Sequence, residues 1–371
     1  MNFRVEAADV EGFAKLVGRA GNDAGQAVSY TKNATITKMA GGKLWDLVAG
    51  QHDDHVHDAR RTMEKLQDVL RASDAELVKS AHYYQRTDHE QAARLDATYP
   101  GSKKGAREHS GGDAGDFSDR ADAAAVLKAP GGGDGYLAGH AEEFAMNPVS
   151  KTLGTVLDLG SPSAMMIEGS KLIFGFDPYD ELNGMIFGEW GGYNDCAEVW
   201  SNLGACCSAL SDNIRQGNDT LSRTWAGNSA DAAWVYFDEL AEKLREVKGT
   251  FGSLSENYHE AARLVFELGE TLKSGLSILA DLVVCWLINV IASRAAAFLG
   301  PGGMVASAAM MALAAAQLAA IMAKWSELVV AVDTAATAVG AVAAVIATAV
   351  AGFSSVREFP VIGSGYDNTA V

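Results

Sequence analysis

A heptad seam of apolar residues is the feature that most limits how this chain can fold. The seam lasts five heptads, and its members are alternately three and four residues apart: Phe237, Leu240, Leu244, Val247, Phe251, Leu254, Tyr258, Ala261, Val265, Leu268 and Leu272. Because an α-helix repeats every 3.6 residues, this spacing places all of them along one side of a long helix. A helix from Asn228 to Leu272 would be roughly 65 Å long at 1.5 Å per residue. Such a seam requires a partner helix to cover it.

A second heptad seam precedes the first and supplies that partner. Its members are Cys196, Trp200, Leu203, Cys207, Leu210, Ile214, Gly217 and Leu221. Between the two seams lies the segment from Trp225 to Ser229, in which Gly227 suits a turn and Asn228 suits a helix cap. We therefore predict a long antiparallel helical hairpin in a module over residues 143–275, after an irregular region that ends near residue 192.

The N-terminal residues 1–98 predict a second helical hairpin. One helix is expected over residues 3–32, where apolar side chains recur at helical spacing: Val10, Phe13, Val17 and Ala20. Another is expected to end near residue 90, with the stripe Met63, Leu66, Leu70, Leu77, Ala81 and Tyr84. The short connection makes the two helices antiparallel neighbours. The predicted fold class is all-α: long antiparallel helical hairpins that form a bundle.

The remaining segments differ sharply in composition. Residues 99–142 are rich in Gly and poor in apolar anchors, so we expect a flexible linker with a short helix at Ala121–Leu127. Residues 276–356 are Ala/Gly-rich, apolar and predicted to be helical, and residues 357–371 are expected to form a frayed tail.

Two uncharged runs in the C-terminal region, Gly302–Ala323 and Thr334–Val356, have the length of a membrane span. Most of their residues are Ala, which contributes little to membrane insertion. Two interpretations stay open from the sequence. The runs form either an Ala-packed bundle or oligomer interface in water, or a membrane-inserting hairpin.

Charge and motif content exclude several classes of function. The chain of 371 residues has 30 Lys and Arg against 47 Asp and Glu, a net charge of −17, which argues against nucleic-acid binding. No phosphate-binding loop, nucleophile elbow or metalloprotease motif occurs. Cys206 and Cys207 have no neighbouring His that would activate a thiol. We expect a protein that is not an enzyme and needs no cofactor.

The strongest metal-like cluster in the sequence contains His52, His55 and His57, interspersed with Asp residues at the start of the second helix. A zinc site needs three or four ligands in tetrahedral geometry, and no distant Cys or His completes this one. We expect a solvated, cap-rich loop here, with metal binding as the weaker alternative.

Two short motifs carry a resemblance to a known family. Trp225-Ala226-Gly227, at the turn between two heptad-patterned helices, resembles the Trp-x-Gly signature of the WXG family, whose members are exported by actinobacterial type VII (ESX) secretion. Tyr84-Gln85-Arg86-Thr87-Asp88, which closes the first hairpin, is similar to the Tyr-x-x-x-Asp/Glu secretion signal of that family. Residues 1–98 also resemble EspC-like substrates, and the fusion of two hairpins is similar to the EspB-like arrangement of PE-like and PPE-like halves.

The resemblance implies a composite export signal made of Tyr84, Asp88, Trp225 and Gly227, in which both motifs meet at one end of a four-helix bundle. The expected geometry has the Trp225 indole projecting from the bundle end, and Tyr84 and Asp88 on one face of one helix. The implied partners are the type VII secretion ATPase, a dedicated chaperone and further copies of the chain.

The implied location follows from the export route. The N-terminus has neither the basic nor the apolar region of a Sec signal peptide, so we expect a protein that is cytoplasmic before a Sec-independent export to the cell surface or medium. Two alternatives remain beside an assembly function: a pore-like protein that inserts residues 276–356 into a membrane, and the delivery half of a polymorphic toxin.

Overall fold

The described part of the chain folds into nine α-helices, which confirms the all-α prediction. A computed structural model describes residues 3–34, 42–99, 115–131, 161–186, 190–356 and 358–360. The helices are α1 (Ala7–Tyr30), α2 (Lys43–Ala49), α3 (His52–Arg86), α4 (His89–Asp96), α5 (Ser161–Phe174), α6 (Pro178–Ile186), α7 (Trp190–Leu221), α8 (Asn228–Ala297) and α9 (Pro301–Val356).

The first hairpin consists of α1 and α3, joined in part by a 3-10 turn at Thr31–Ala34 and the short helix α2. The predicted stripe residues are buried between them, from Val10 and Phe13 on α1 to Leu70 and Leu77 on α3, except for the half-buried Tyr84 at the end of the stripe. The segment around Trp45 is helix α2, and it places that indole 3 % exposed against Trp190. Helix α2 therefore covers one end of the first hairpin.

The second hairpin consists of α7 and α8, and the apolar members of both predicted seams are buried. The two hairpins pack on each other within one chain. Phe13 of α1 meets Phe237 of α8 edge to face, with ring centroids 4.8 Å apart. A Cβ at Gly217 would lie 2.7 Å from the Phe13 ring, so α7 and α1 approach closely where only glycine fits. Helices α1, α3, α7 and α8 thus form a four-helix bundle.

Residues 115–131, inside the expected flexible linker, pack across α1 and α7 as turns and bends rather than as a helix. The Asn213 side chain exchanges two hydrogen bonds with the backbone of Ala121 (3.0 and 2.8 Å), and Arg19 forms an ion pair with Asp119 at 2.9 Å. Apolar contacts add to these polar ones, since the Phe117 ring lies 6.2 Å from that of Phe13 and Ala123 is buried. The rest of residues 99–142 beyond Tyr99 lies outside the described residues.

The region expected to be irregular before residue 192 contains α5 and α6. The Asp177 carboxylate accepts hydrogen bonds from the backbone N–H of Tyr179 (3.0 Å) and Asp180 (3.4 Å), which caps α6. Tyr179 and Leu182 of α6 are buried, and the Trp190 indole donates to the carbonyl of Ile186 at 3.0 Å. This short helix therefore completes the end of the bundle near α2.

Helix α8 is one unbroken helix of 70 residues, so the expected module boundary at residue 275 falls inside it. At 1.5 Å per residue the helix is about 105 Å long. Gly300, with φ of +81°, turns the chain into α9, which is also continuous through both predicted uncharged runs. In α9, Phe353 packs edge to face on Phe251 at 5.1 Å, so the second run, Thr334–Val356, packs along the bundle. Of the tail, Phe359 is buried.

Two helices, α8 and α9, are long and apolar enough by length and composition to cross a membrane. Each contains an 18-residue window of mean hydropathy 2.1, and 22 % of each window is buried inside the protein. The fold therefore leaves part of the C-terminal hairpin uncovered.

Candidate functional site

The turn between α7 and α8 is built from local backbone bonds and one glycine. The Trp225 N–H donates to the carbonyl of Leu221 at 3.0 Å, which closes α7. Gly227 has φ of +137°, a conformation that side chains rarely allow, and α8 begins at the next residue. Ala226 exchanges two backbone bonds with Arg4 (2.8 and 3.0 Å), so the N-terminal segment holds the turn in place.

The Trp225 indole is buried, which corrects the expectation that it projects from the bundle end. Its side chain is 2 % exposed and meets the Tyr84 ring edge to face, with centroids 6.1 Å apart. An indole left in water would keep a large apolar surface hydrated, and the neighbouring hairpin supplies a ring that covers it. Trp225 therefore acts as a joint between the hairpins.

Tyr84 lies near the end of α3 and faces the same joint. Its hydroxyl lies 3.1 Å from Ser229 Oγ, and its ring is 6.0 Å from that of Phe3. Burial raises the pKa of the Tyr84 hydroxyl to about 12, so the group stays neutral and acts as a hydrogen-bonding partner. The predicted meeting of Tyr84 with the Trp-x-Gly turn thus occurs within one chain.

Asp88 does not share a helical face with Tyr84, which corrects a second expectation. Helix α3 ends at Arg86, Thr87 is extended, and the Asp88 carboxylate caps α4 by accepting from the Glu90 N–H at 3.1 Å. The physical reason is that Asp is a strong N-cap residue, so it begins a new helix rather than continuing the old one. Asp88 is exposed, and its carboxylate faces the start of α4.

Asp96, which the sequence analysis missed, is the carboxylate that meets the turn. It is 7 % exposed and accepts from the backbone N–H of Asn228 (2.9 Å), the N–H of Ser229 (2.8 Å) and the hydroxyl of Ser229 (2.7 Å). The N-cap of α8 is Gly227, which has no side chain, so Asp96 supplies the cap from the other hairpin. A Cβ at Gly227 would lie 2.5 Å from Asp96 Oδ2.

No sequence signal distinguishes Asp96 from the other acids of its segment. Its partners lie 132 and 133 residues away, and neither spacing nor periodicity connects them. Asn228, expected as the helix cap, is instead the first residue of α8, and the N-cap is Gly227, which has no side chain to accept a hydrogen bond. The acceptor therefore has to come from elsewhere in the chain, and the sequence does not indicate where.

The histidines lie inside α3 rather than in a solvated loop. His52 and His55 are each 3 % exposed, and their Nδ1 atoms lie 2.9 and 3.0 Å from the hydroxyl of Tyr258. His57 is exposed on another side of the helix. Within the described residues, no group of three His, Cys, Asp or Glu is placed to hold a metal ion. The three histidines therefore do not converge.

The hydrogen bonds around Tyr258 fix the tautomers of both buried histidines. His52 Nε2 lies 2.7 Å from the carbonyl oxygen of Ala34, so Nε2 carries the proton and Nδ1 accepts from the Tyr258 hydroxyl. His55 Nδ1 must then donate to the Tyr258 oxygen. Burial lowers the pKa of His55 to about 4, and the ring is neutral near pH 7. This arrangement links α3 to α8 in the core of the bundle.

The cysteines are free thiols. Cys196, Cys206 and Cys207 are buried, and Cys285 is exposed. Burial raises the pKa of the Cys206 thiol to about 12 and that of Cys207 well above its usual value. Neither thiol is positioned or charged to act as a nucleophile.

Comparisons of this chain with protein-family models, with curated proteins and with solved structures returned no match.

Proposed function

We propose that this protein is a non-enzymatic substrate of a type VII secretion system, carries both halves of its export signal in one chain, and acts by protein–protein assembly after export. The observation that carries the proposal is the contact between the Tyr84 and Trp225 rings, 6.1 Å apart at one end of a four-helix bundle. The resemblance to WXG proteins implies that these two motifs meet between partner hairpins. Here the partner hairpin belongs to the same chain.

The residues that are exposed at the Tyr84–Trp225 end of the bundle are the ones that a partner could recognise. Trp225 and Gly227 are buried, so their role in the proposal is to join the hairpins and hold α3 and α4 in position. Gln85, Arg86 and Asp88 are exposed at the junction between α3 and α4. The secretion ATPase would therefore bind this exposed junction, and Asp88 would be the acidic group that it recognises. A dedicated chaperone, if one is used, would cover the same end.

The test is export from a type VII-competent actinobacterium, with the protein blotted in culture filtrate and in cell pellet. Wild type is compared with Trp225→Ala, Tyr84→Ala and Asp88→Asn. The matched control is Glu90→Gln, an exposed acid two residues beyond Asp88. A cytoplasmic marker reports lysis, and circular dichroism of each purified variant reports folding.

We expect wild type and Glu90→Gln in the filtrate, and the three signal variants in the pellet. If wild type stays in the pellet, the secretion proposal is wrong. If Asp88→Asn is exported like wild type while Trp225→Ala is retained, export requires the Trp225 joint between the hairpins. In that case the ATPase does not recognise the exposed Asp88 carboxylate.

A further inference from the structure

The turn end of the C-terminal hairpin is an apolar surface that nothing in the described chain covers. We call residues 281–324, which include the end of α8, the turn at Gly300 and the start of α9, the apolar tip. Ten of the sixteen large apolar side chains that are exposed in the described residues lie in it. Phe298 and Leu299 at the turn are 89 % and 78 % exposed, and Met304 and Val305 are 64 % and 73 % exposed. Soluble proteins seldom expose this much contiguous apolar surface without a function.

The length of the apolar tip matches a lipid bilayer. Charged residues bound it at Asp281 on α8 and Lys324 on α9, and Lys324 is paired with Glu327 at 2.9 Å. The distance along α8 from Asp281 to Gly300 is about 29 Å at 1.5 Å per residue, and a hydrocarbon core is about 30 Å thick. The corresponding distance from Lys324 is about 36 Å, which places Lys324 about 6 Å beyond the hydrocarbon core, among the near headgroups.

The polar groups within the apolar tip are placed as a bilayer requires. Asn289 Nδ2 donates at 3.0 Å both to Gln317 Oε1 and to the carbonyl of Cys285, so one hydrogen bond joins the two amide side chains between the helices. The one charged residue in residues 282–323 is Arg294, which is exposed. Arg294 lies six residues before Gly300, about 9 Å along the helix, within reach of the far headgroups.

Aromatic side chains cluster where the apolar tip meets the rest of the protein. Trp325, next to Lys324, contacts the rings of Phe174 and Phe176 at 5.5 and 5.6 Å. Phe176 is 41 % exposed, and α5 packs against α8 at this level, where Gly169 approaches Val283. Trp is enriched at membrane–water interfaces. Trp325 therefore marks the level of the near headgroups.

The apolar residues face several directions around α9, which distinguishes a lipid from a second protein copy. At 100° per residue, Met304 and Val305 point about 100° apart, and Leu313 points about 80° beyond Val305. A single partner helix covers one stripe, whereas lipid chains cover every side of a helix. We propose that the apolar tip, residues 281–324, inserts into a lipid bilayer as a two-helix hairpin with its turn at the far face. The run at Thr334–Val356 stays outside, packed on the bundle.

The first test uses the exposed Cys285, which lies about 6 Å inside the near end of the tip. The other three cysteines are buried, so an environment-sensitive fluorophore labels the native full-length protein there. On addition of phosphatidylcholine vesicles, we expect its emission to shift to shorter wavelength and to rise several-fold. A control carries the probe at the exposed Ser201, as Ser201→Cys in a Cys285→Ser background, and its emission should not change.

The second test places a charge at mid-membrane depth. Ile291 is 54 % exposed and lies about 15 Å along the helix from Asp281. We expect Ile291→Lys to lower the water-to-vesicle partition coefficient, measured by flotation, by on the order of 100-fold. The matched control is Val345→Lys, at a site 50 % exposed on the part of α9 outside the tip, and it should float like wild type. Both sites face water in the folded protein, so neither lysine needs to be buried in solution.

An unchanged Cys285 probe in the presence of vesicles would overturn the proposal. So would a soluble oligomer that forms without lipid, is dispersed by Ile291→Lys and does not float, because the tip would then bind a second copy of the chain. The insertion proposal does not rest on the secretion proposal. The vesicle assays use purified protein, whereas the export assay uses cells, so failure of either leaves the other standing.

Discussion

Replacing Asp96 by alanine removes the acceptor that three donors share at the start of α8. Two are the backbone N–H groups of Asn228 and Ser229, and the third is the Ser229 hydroxyl. The N-cap residue Gly227 has no side chain that could replace the lost carboxylate. The substitution is therefore expected to leave the first turn of the longest helix uncapped.

The expected change in the free energy of unfolding depends on which donors lose their hydrogen-bond acceptor. The Ser229 hydroxyl can still bond to Tyr84, 3.1 Å away, whereas the two backbone N–H groups have no alternative acceptor among these contacts. A buried N–H without a partner costs about 1–3 kcal/mol, and loss of an N-cap costs about 1 kcal/mol. We expect Asp96→Ala to lower the free energy of unfolding by about 3 kcal/mol.

The matched control is Asp88→Ala, eight residues earlier. Asp88 also caps a helix, but it is exposed and accepts from one N–H, that of Glu90. Water can replace its carboxylate, so we expect a loss of about 0.5–1 kcal/mol. The measurement is urea unfolding followed by circular dichroism at 222 nm, together with hydrogen exchange of the Asn228 and Ser229 amides, which should exchange faster in Asp96→Ala.

The reasoning fails if the two alanine variants unfold at the same urea concentration. It also fails if Asp96→Ala is destabilised but the Asn228 and Ser229 amides keep their protection. In the first case the buried carboxylate contributes no more than an exposed cap. In the second case its contribution arises elsewhere.

Three further outcomes are expected. His55 should contribute a loss of about 3 kcal/mol of stability as the pH falls from 6.5 to about 4, because the unfolded chain protonates it at a higher pH than the folded chain does. The free energy of unfolding, measured with urea, should therefore depend less on pH in His55→Gln than in wild type, and an equal dependence would contradict the assignment. Gly227→Ala should cost roughly 2–4 kcal/mol, since it combines a positive φ with a Cβ too close to Asp96; a thermal melt matching wild type would contradict this. A colorimetric thiol reagent should titrate one thiol per native chain, that of Cys285, and four after unfolding; three or four fast-reacting native thiols would show that the buried cysteines are accessible.

Much of the architecture could be predicted from periodicity. The heptad seams from Cys196 to Leu221 and from Phe237 to Leu272 placed α7 and α8 and their buried faces, because the α-helical repeat converts spacing directly into a face. Periodicity does not indicate where a helix stops when no glycine or proline follows the expected end. The boundary expected at residue 275 fails for that reason, because residues 276–297 contain neither, and α8 continues through them to Ala297.

The candidate site could be predicted only in part. Its motifs placed Tyr84 and the Trp-x-Gly turn together, and the structure has them in contact. The burial of Trp225 and the capping by Asp96 depend on how two hairpins dock, which is decided by contacts between residues more than a hundred positions apart. Asp88 was assigned to the wrong helix because its capping preference competes with the continuation of α3.

Because α8 is unbroken, it sets the distance between the Trp-x-Gly turn and the apolar tip. From Asn228 to Asp281 the helix rises about 80 Å at 1.5 Å per residue, so the Trp-x-Gly end and the apolar tip are at opposite ends of one rod. With the tip in a bilayer, the protein would hold Tyr84 and Trp225 at the end of α8 that is farthest from the lipid. A partner bound at that end and a membrane bound at the tip would therefore not compete for the same surface.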